Sequence, residues 1–222
     1  SVLGLSGGID SAVMLELLKL VFGVQNLFPR LIPNGKGGAT ALRYGELALR
    51  HAGIPQENVG IIDIHPTVEQ LIKTLSAQGN VRPGNIAARV RMIVLFDQAA
   101  EITQRTGRVT VVSGSENKTE RRLGYCTIGG DNISSFECIQ KLYKTQVFML
   151  ARALHVPEAI IQRPPSADLW EGQTDEDELG VGYQLADQVL YLLEIGKTPA
   201  EIHTIGIPSD VIDRVQKRVK DY

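Results

Sequence analysis

Val2, Leu3 and Leu5 read as the end of a short buried strand. Ser6-Gly7-Gly8-Ile9-Asp10-Ser11 follows as a tight loop, and Ala12 to Leu20 reads as an apolar helix free of Gly and Pro. A strand that enters a Gly-Gly turn and then a helix N-terminus builds an anion site. The glycines let the backbone close around a ligand, and the first helical N–H groups have no partner inside the helix. Ser6 and Ser11 add hydroxyls. Asp10 is out of place beside a bare anion, because a carboxylate next to a phosphate needs a cation between them. The loop therefore predicts a magnesium–phosphate complex.

Two other phosphate loops are excluded. No segment has the Walker A spacing, and Asn34-Gly35-Lys36-Gly37-Gly38 fits neither that motif nor the dinucleotide fingerprint. At 222 residues the chain is long enough for one domain with a substantial core. A net charge of −2 with mixed signs argues against an electrostatic nucleic-acid binder. Cys126 and Cys138 lie too far apart for a CxxC redox or zinc pair, and His51, His65, His155 and His203 form no metal spacing. Reduced cysteines, with no signal peptide and no apolar run of membrane length, lead to the expectation of a cytoplasmic protein.

Strand-like runs recur at Asn26–Ile32, Val59–Ile64, Val109–Val112 and Ser135–Ile139. Helical patterns lie between and after them at Thr40–His51, Val68–Leu75, Ile86–Arg105 and Tyr143–Leu154. The residues between 80 and 85 read as a turn-rich loop, and 113–119 as a polar one. This alternation predicts an α/β fold with a parallel five-stranded sheet and helices on both faces. Ligands then gather at the carboxyl ends of strands, which places 6–11 and 113–120 side by side. Beyond residue 154 the chain reads as helical. Thr174 is the expected N-cap of a helix through the acidic run 175–178, with metal binding as the competing reading. Residues 210–222 form an amphipathic basic helix whose charges read as a solvated face.

Ser6 to Ser11 matches the pyrophosphate loop of ATP pyrophosphatases. With GNIAARVRM (84–92), GSENKTERRLGY (114–125), LYKTQV (142–147) and PSADLWEGQTDEDELG (165–180), it gives the whole chain a resemblance to the NAD synthetases. The resemblance implies a Rossmann-like adenine nucleotide hydrolase architecture and an ammonia-dependent ligase that amidates nicotinic acid adenine dinucleotide (deamido-NAD). ATP adenylates the carboxylate, pyrophosphate leaves, and ammonia then displaces AMP. It implies an ATP site at Gly4, Leu5, Ser6, Gly7, Gly8, Ile9, Asp10, Ser11, Ser115, Lys144 and Ser166. Asp10 and Glu120 become Mg2+ ligands, Asp10 and Lys144 catalytic residues, Arg89 a deamido-NAD contact, and the enzyme a homodimer.

On their own these positions read more plainly. Glu120 is a cap or surface acid of a helix after the fourth strand. Arg89 and Arg91 are solvent-facing, Lys144 is a surface lysine, Ser166 a turn residue, and Trp170 packs in a hydrophobic interface. The segment from Ser166 to Thr174 is expected to close over the adenylate. The sequence departs from the family at Ile128, where many members carry Lys, and at Ser135, where many carry an acid. The chain begins inside its first strand and lacks the family's basic His-Lys-Arg tail, so a single domain over 1–222, trimmed at both termini, is expected. Competing readings are the synthetase domain of a glutamine-dependent enzyme, a GMP synthetase-like amidase, a tRNA thiolase, and a nucleotide sensor without catalysis.

Overall fold

The computed structural model describes residues 1–166 and 172–221. Five strands lie at its centre: β1 (Val2–Gly4), β2 (Phe28–Leu31), β3 (Gly60–Ile61), β4 (Val112–Gly114) and β5 (Phe136–Glu137). All pair in parallel, in the order β3-β2-β1-β4-β5. The expected parallel sheet is therefore present, and β1 and β4 are neighbours, which brings their C-terminal loops together.

Alternation along β1 assigns the two faces. Leu3 joins a core with α1 (Ile9–Phe22), α2 (Ala39–Ala52), α6 (Lys144–Ala153) and α7 (Glu158–Ile161). Val2 points the other way, onto α4 (Val81–Thr106), which also packs on α3 (His65–Thr74). Helix α1 is hemmed in by the sheet and three helices, so Met14, Leu15 and Leu18 are all buried; each such side chain stabilises the fold by about 1.5–3 kcal/mol. A second core unites α8 (Asp175–Leu179), α9 (Tyr183–Glu194), α10 (Pro199–Thr204) and α11 (Ser209–Asp221), with Leu123 at the end of α5 (Lys118–Arg122).

Four expectations need correction. Helix α1 starts at Ile9, not Ala12, so Asp10 and Ser11 occupy its first turn. The 80–85 segment opens α4 rather than forming a loop. Pro83 is the third residue of that helix, where a missing N–H breaks no helical bond. The fourth strand lies two to three residues downstream of the Val109–Val112 run. Thr110 N donates to Thr103 Oγ1 (2.9 Å) at the end of α4, Val109 is left exposed, and Ser113 and Gly114 enter the sheet instead. The basic face of α11 is more than solvated, because Arg214 and Arg218 donate to Gly180 O and Glu178 O at the C-terminal end of α8. The Thr174 cap is borne out: its hydroxyl accepts from Asp177 N (3.2 Å). The expectations for Trp170 and for closure of its segment fall on residues 167–171, outside the described residues.

Candidate active site

The strand–loop–helix at the N-terminus is held by its own small polar groups. Ser6 Oγ accepts from Gly8 N (3.2 Å), and Ser11 Oγ donates to Gly8 O (3.0 Å). Gly8 is extended, and helical bonding begins with Ala12 N donating to Gly8 O (3.1 Å). The N–H groups of Ile9, Asp10 and Ser11 thus precede the helical ladder at the positive end of α1. Gly4, Leu5, Ser6, Gly8, Ile9 and Asp10 line a cavity of about 250 Å³. Gly7 and Ser11 do not line it. They build the turn from behind, Gly7 in a left-handed conformation (φ +74°) against α2.

Lys144 is the centre of the site. The surface reading fails: it is 2% exposed, at the first position of α6. Its Nζ lies 2.6 Å from Asp10 Oδ2 and 2.9 Å from Glu120 Oε1. Asn117 ties those carboxylates together. Its Nδ2 donates to Asp10 Oδ1 (2.9 Å), its Oδ1 accepts from Glu120 N (3.0 Å), and its own N–H donates to Glu120 Oε2 (3.3 Å). Glu120 is therefore both the partner of the Asn117 cap in the first turn of α5 and a residue of the Lys144 cluster. The ring of Tyr183 lies 4.9 Å from Lys144 Nζ, and its hydroxyl donates to Asp175 Oδ2 (2.8 Å).

The charges do not balance. Burial alone would push the Lys144 ammonium down, but Asp10 and Glu120 outweigh it and hold it above the ordinary lysine range. Burial pushes Glu120 up to about 8 despite Lys144, with Asp10 adding to the rise. Burial also raises Asp175, whose buried Oδ1 has no hydrogen-bond partner among the described residues. Three carboxyl groups thus lie around the Lys144 ammonium, two of them hydrogen-bonded to it.

This donor set fits a hard cation. Asp10 and Glu120 both line the cavity, and each of their oxygens, with one hydrogen bond apiece, keeps acceptor capacity. Magnesium is commonly held by one or two carboxylates together with substrate phosphates. Among the described residues no group of three or more His, Cys, Asp and Glu forms a self-sufficient metal cage. Asp10 and Glu120 would have to share the ion with a nucleotide.

Ser115 and Ser166 line the same cavity, Ser166 beside Arg163, Pro164 and Pro165. Behind Ser115, Glu137 is held by hydrogen bonds. Its Oε2 accepts from Glu116 N (3.1 Å), its Oε1 from Ser134 Oγ (2.7 Å), and it lies where a side chain at Gly114 would have to go. Burial pushes Glu137 up to about 7. A raised acid favours the folded state while protonated, so this contribution is present below about pH 4.5 and is lost as pH rises through about 7. Glu137→Gln should flatten the fall in melting temperature over that interval, as read by thermal unfolding across pH. An unchanged slope would exclude Glu137 as its source.

Arg89 does not line the cavity. It is exposed on α4 and donates to Ile128 O (3.1 Å), while Arg91, two residues on and facing another side of the helix, lines the cavity and donates to Ile32 O (3.4 Å). Ile128 is itself exposed, and Ser135 Oγ accepts from Val112 N (3.1 Å), a sheet contact. Asn117, Asp131, Arg163 and Tyr183 escaped sequence reasoning as site residues, and Asp175 entered it only within the acidic run expected to start a helix. Only the Asn117-x-x-Glu120 capping pattern was there to be found.

The whole chain, residues 1–222, matches the family model described as NAD synthase. The chain belongs to the NAD synthase family. It is 44% identical over 219 residues to the NH(3)-dependent NAD(+) synthetase of Pelodictyon phaeoclathratiforme, covering 98% of this chain and 76% of that protein. Among solved structures it is similar to an NMN synthetase from Francisella tularensis (TM-score 0.81, 32% identity, 99% of this chain and 83% of that one). It is also similar to an NH3-dependent NAD synthetase from Campylobacter jejuni (TM-score 0.79, 30% identity, 99% and 83%). Members of this family are ligases that form NAD.

Proposed function

We propose that this chain is an ammonia-dependent NAD synthetase that amidates nicotinic acid adenine dinucleotide. The observation that carries the reading is Lys144, buried and shared by Asp10 and Glu120 where two phosphate-facing loops meet. A nicotinate carboxylate oxygen attacks the α-phosphorus of ATP and the bond to pyrophosphate breaks. Ammonia then attacks the acyl carbon, AMP leaves, and a proton is lost. No side chain need act as a nucleophile. The first-turn N–H groups of α1 hold phosphate, and Lys144 offsets charge developing on pyrophosphate. Asp10 and Glu120 would hold Mg2+, which neutralises phosphate charge when bound.

We further infer a cytoplasmic homodimer whose dinucleotide site is shared between subunits. Arg89, Ile93 and Phe96 form one exposed stripe of α4, with Ile93 67% and Phe96 41% exposed, which suits a covered face and would place Arg89 at its edge.

The test is pyrophosphate release from Mg-ATP with ammonium, with and without the dinucleotide. Dinucleotide-dependent release with equimolar NAD is expected, and Asp10→Asn should lower kcat by about 100-fold or more. Release with glutamine but not ammonium would favour the synthetase domain of a glutamine-dependent enzyme. The Francisella tularensis relative supports a second reading, amidation of the mononucleotide. Release that depends on nicotinic acid mononucleotide alone would select it.

A further inference from the structure

One face of α9, a helix that contributes nothing to the cavity wall, borders the Lys144 ammonium with Tyr183 and takes up the neighbouring Thr145 N–H with Asp187. Asp187 is 5% exposed and directs both carboxylate oxygens at the segments that carry the site. Its Oδ1 accepts from the hydroxyl of Thr119, the residue before Glu120, and its Oδ2 accepts from the N–H of Thr145, the residue after Lys144 (2.8 Å). The same Thr119 hydroxyl accepts from Lys144 N (2.8 Å). A single carboxylate therefore joins the N-terminal end of α6 to α5, and it does so one residue away from each partner of the central ion pair. Four residues earlier on α9, on the same face, Tyr183 carries the ring that flanks Lys144 Nζ and the hydroxyl that holds Asp175.

We infer that Asp187, acting through Thr119, is a positioning residue for the reaction: it sets where the Lys144 backbone sits, and so where its ammonium meets Asp10 and Glu120. The inference rests on the function proposed above. Asp187 and Thr119 are buried and do not line the cavity, so neither reaches substrate. Their influence is exerted through geometry, where a displacement of about 1 Å costs up to about 100-fold in rate. A helix N-terminus needs acceptors for its first N–H groups. Here a carboxylate from a distant helix and a hydroxyl from the neighbouring one supply them, so the lysine is locked to the very helix that bears Glu120.

The experiment uses the full chain with Thr119→Val, Thr119→Ser, Asp187→Asn and the Thr119→Val/Asp187→Asn double variant, each corrected for folded fraction by thermal unfolding. Lys144→Met sets the scale. Thr119→Val and Asp187→Asn should each lower kcat about tenfold with the KM for ATP changed less than about threefold, and the double variant should be no worse than the poorer single one. Thr119→Ser, which keeps the hydroxyl, should retain wild-type kcat. Wild-type kcat in folded Thr119→Val, or additive losses in the double variant, would overturn the inference. Should Asp187→Asn not fold, the near-isosteric Thr119→Val still decides. A crystal structure of Thr119→Val separates this inference from the proposed function, since it needs no activity. Lys144 Nζ is expected out of hydrogen-bond reach of at least one carboxylate. If Nζ still bonds both, positioning is refuted. If Nζ has moved but wild-type enzyme shows no dinucleotide-dependent pyrophosphate release, it is the functional reading that fails.

Discussion

Lys144→Met should reduce dinucleotide-dependent pyrophosphate release by about 100- to 1,000-fold while the protein still folds and binds nucleotide. Methionine keeps the length and apolar stem of lysine but removes the one cation that Asp10 and Glu120 share at 2.6 and 2.9 Å. Removing one partner of a buried ion pair costs about 3–5 kcal/mol, because the other is left uncompensated. Here the loss should fall below that range. Glu120 is already pushed up to about 8, so near neutral pH it holds a proton and only part of the negative charge is stranded. Adding Glu120→Gln to Lys144→Met should therefore change the melting temperature little and recover none of the turnover. Recovery of turnover would mean that Lys144 serves only to neutralise its neighbours in the resting protein. A melting temperature raised by the second substitution would mean that Glu120 is charged in Lys144→Met and does not carry the proton assigned to it.

The parts of this site that were legible in the sequence are those built from consecutive residues. A strand, two glycines and a helix start within eleven residues, and short-range sterics decide most of what they do. The parallel order was legible for a related reason, since strands alternating with helices leave few connections that pack. What could not be read are the relations between distant residues. Lys144 looks like any lysine at the head of an amphipathic helix. Its burial depends on a partner 134 residues away and another 24 residues away, and no local pattern encodes that meeting. Asp175 and Asp187 belong to ordinary helical patterns in the sequence, and only the packing of α8 and α9 against α5 and α6 turns them inward. The fourth strand slid for a similar reason. Hydrophobicity favours Val109, but the Thr103 hydroxyl takes up Thr110 N and the ladder with β1 begins at Val112. At Arg89 the family motif marked a position that lies outside the cavity, whereas Arg91 lines it.

The second large effect lies in the loop itself. Gly7→Ala should lower kcat by about 100-fold and destabilise the protein by about 2–3 kcal/mol, as read by denaturant unfolding and by pyrophosphate release. Two causes add. At φ +74° an alanine pays the ordinary left-handed penalty of about 1–2 kcal/mol. Its Cβ would also lie 2.7 Å from Ala41 O and 2.9 Å from Gly45 N, backbone atoms of α2 that cannot rotate away. Either the loop lifts or the helix retreats. α2 cannot easily retreat, because Gly45 in turn sits tightly on Leu31 of β2 and Ala48 and Leu49 are buried in the main core. The loop must lift, and it carries the Ile9 and Asp10 N–H groups with it toward the space a phosphate needs. Gly53→Ala supplies the control. Its φ is +71°, nearly the same, but an added Cβ there meets nothing within 4 Å, and it lies at the far end of α2. Gly53→Ala should therefore cost about 1 kcal/mol and leave kcat unchanged. Equal destabilisation at the two glycines would show that the left-handed conformation alone matters. A larger loss at Gly7 with intact turnover would show that the phosphate loop tolerates displacement, contrary to a site in which backbone N–H groups do the binding.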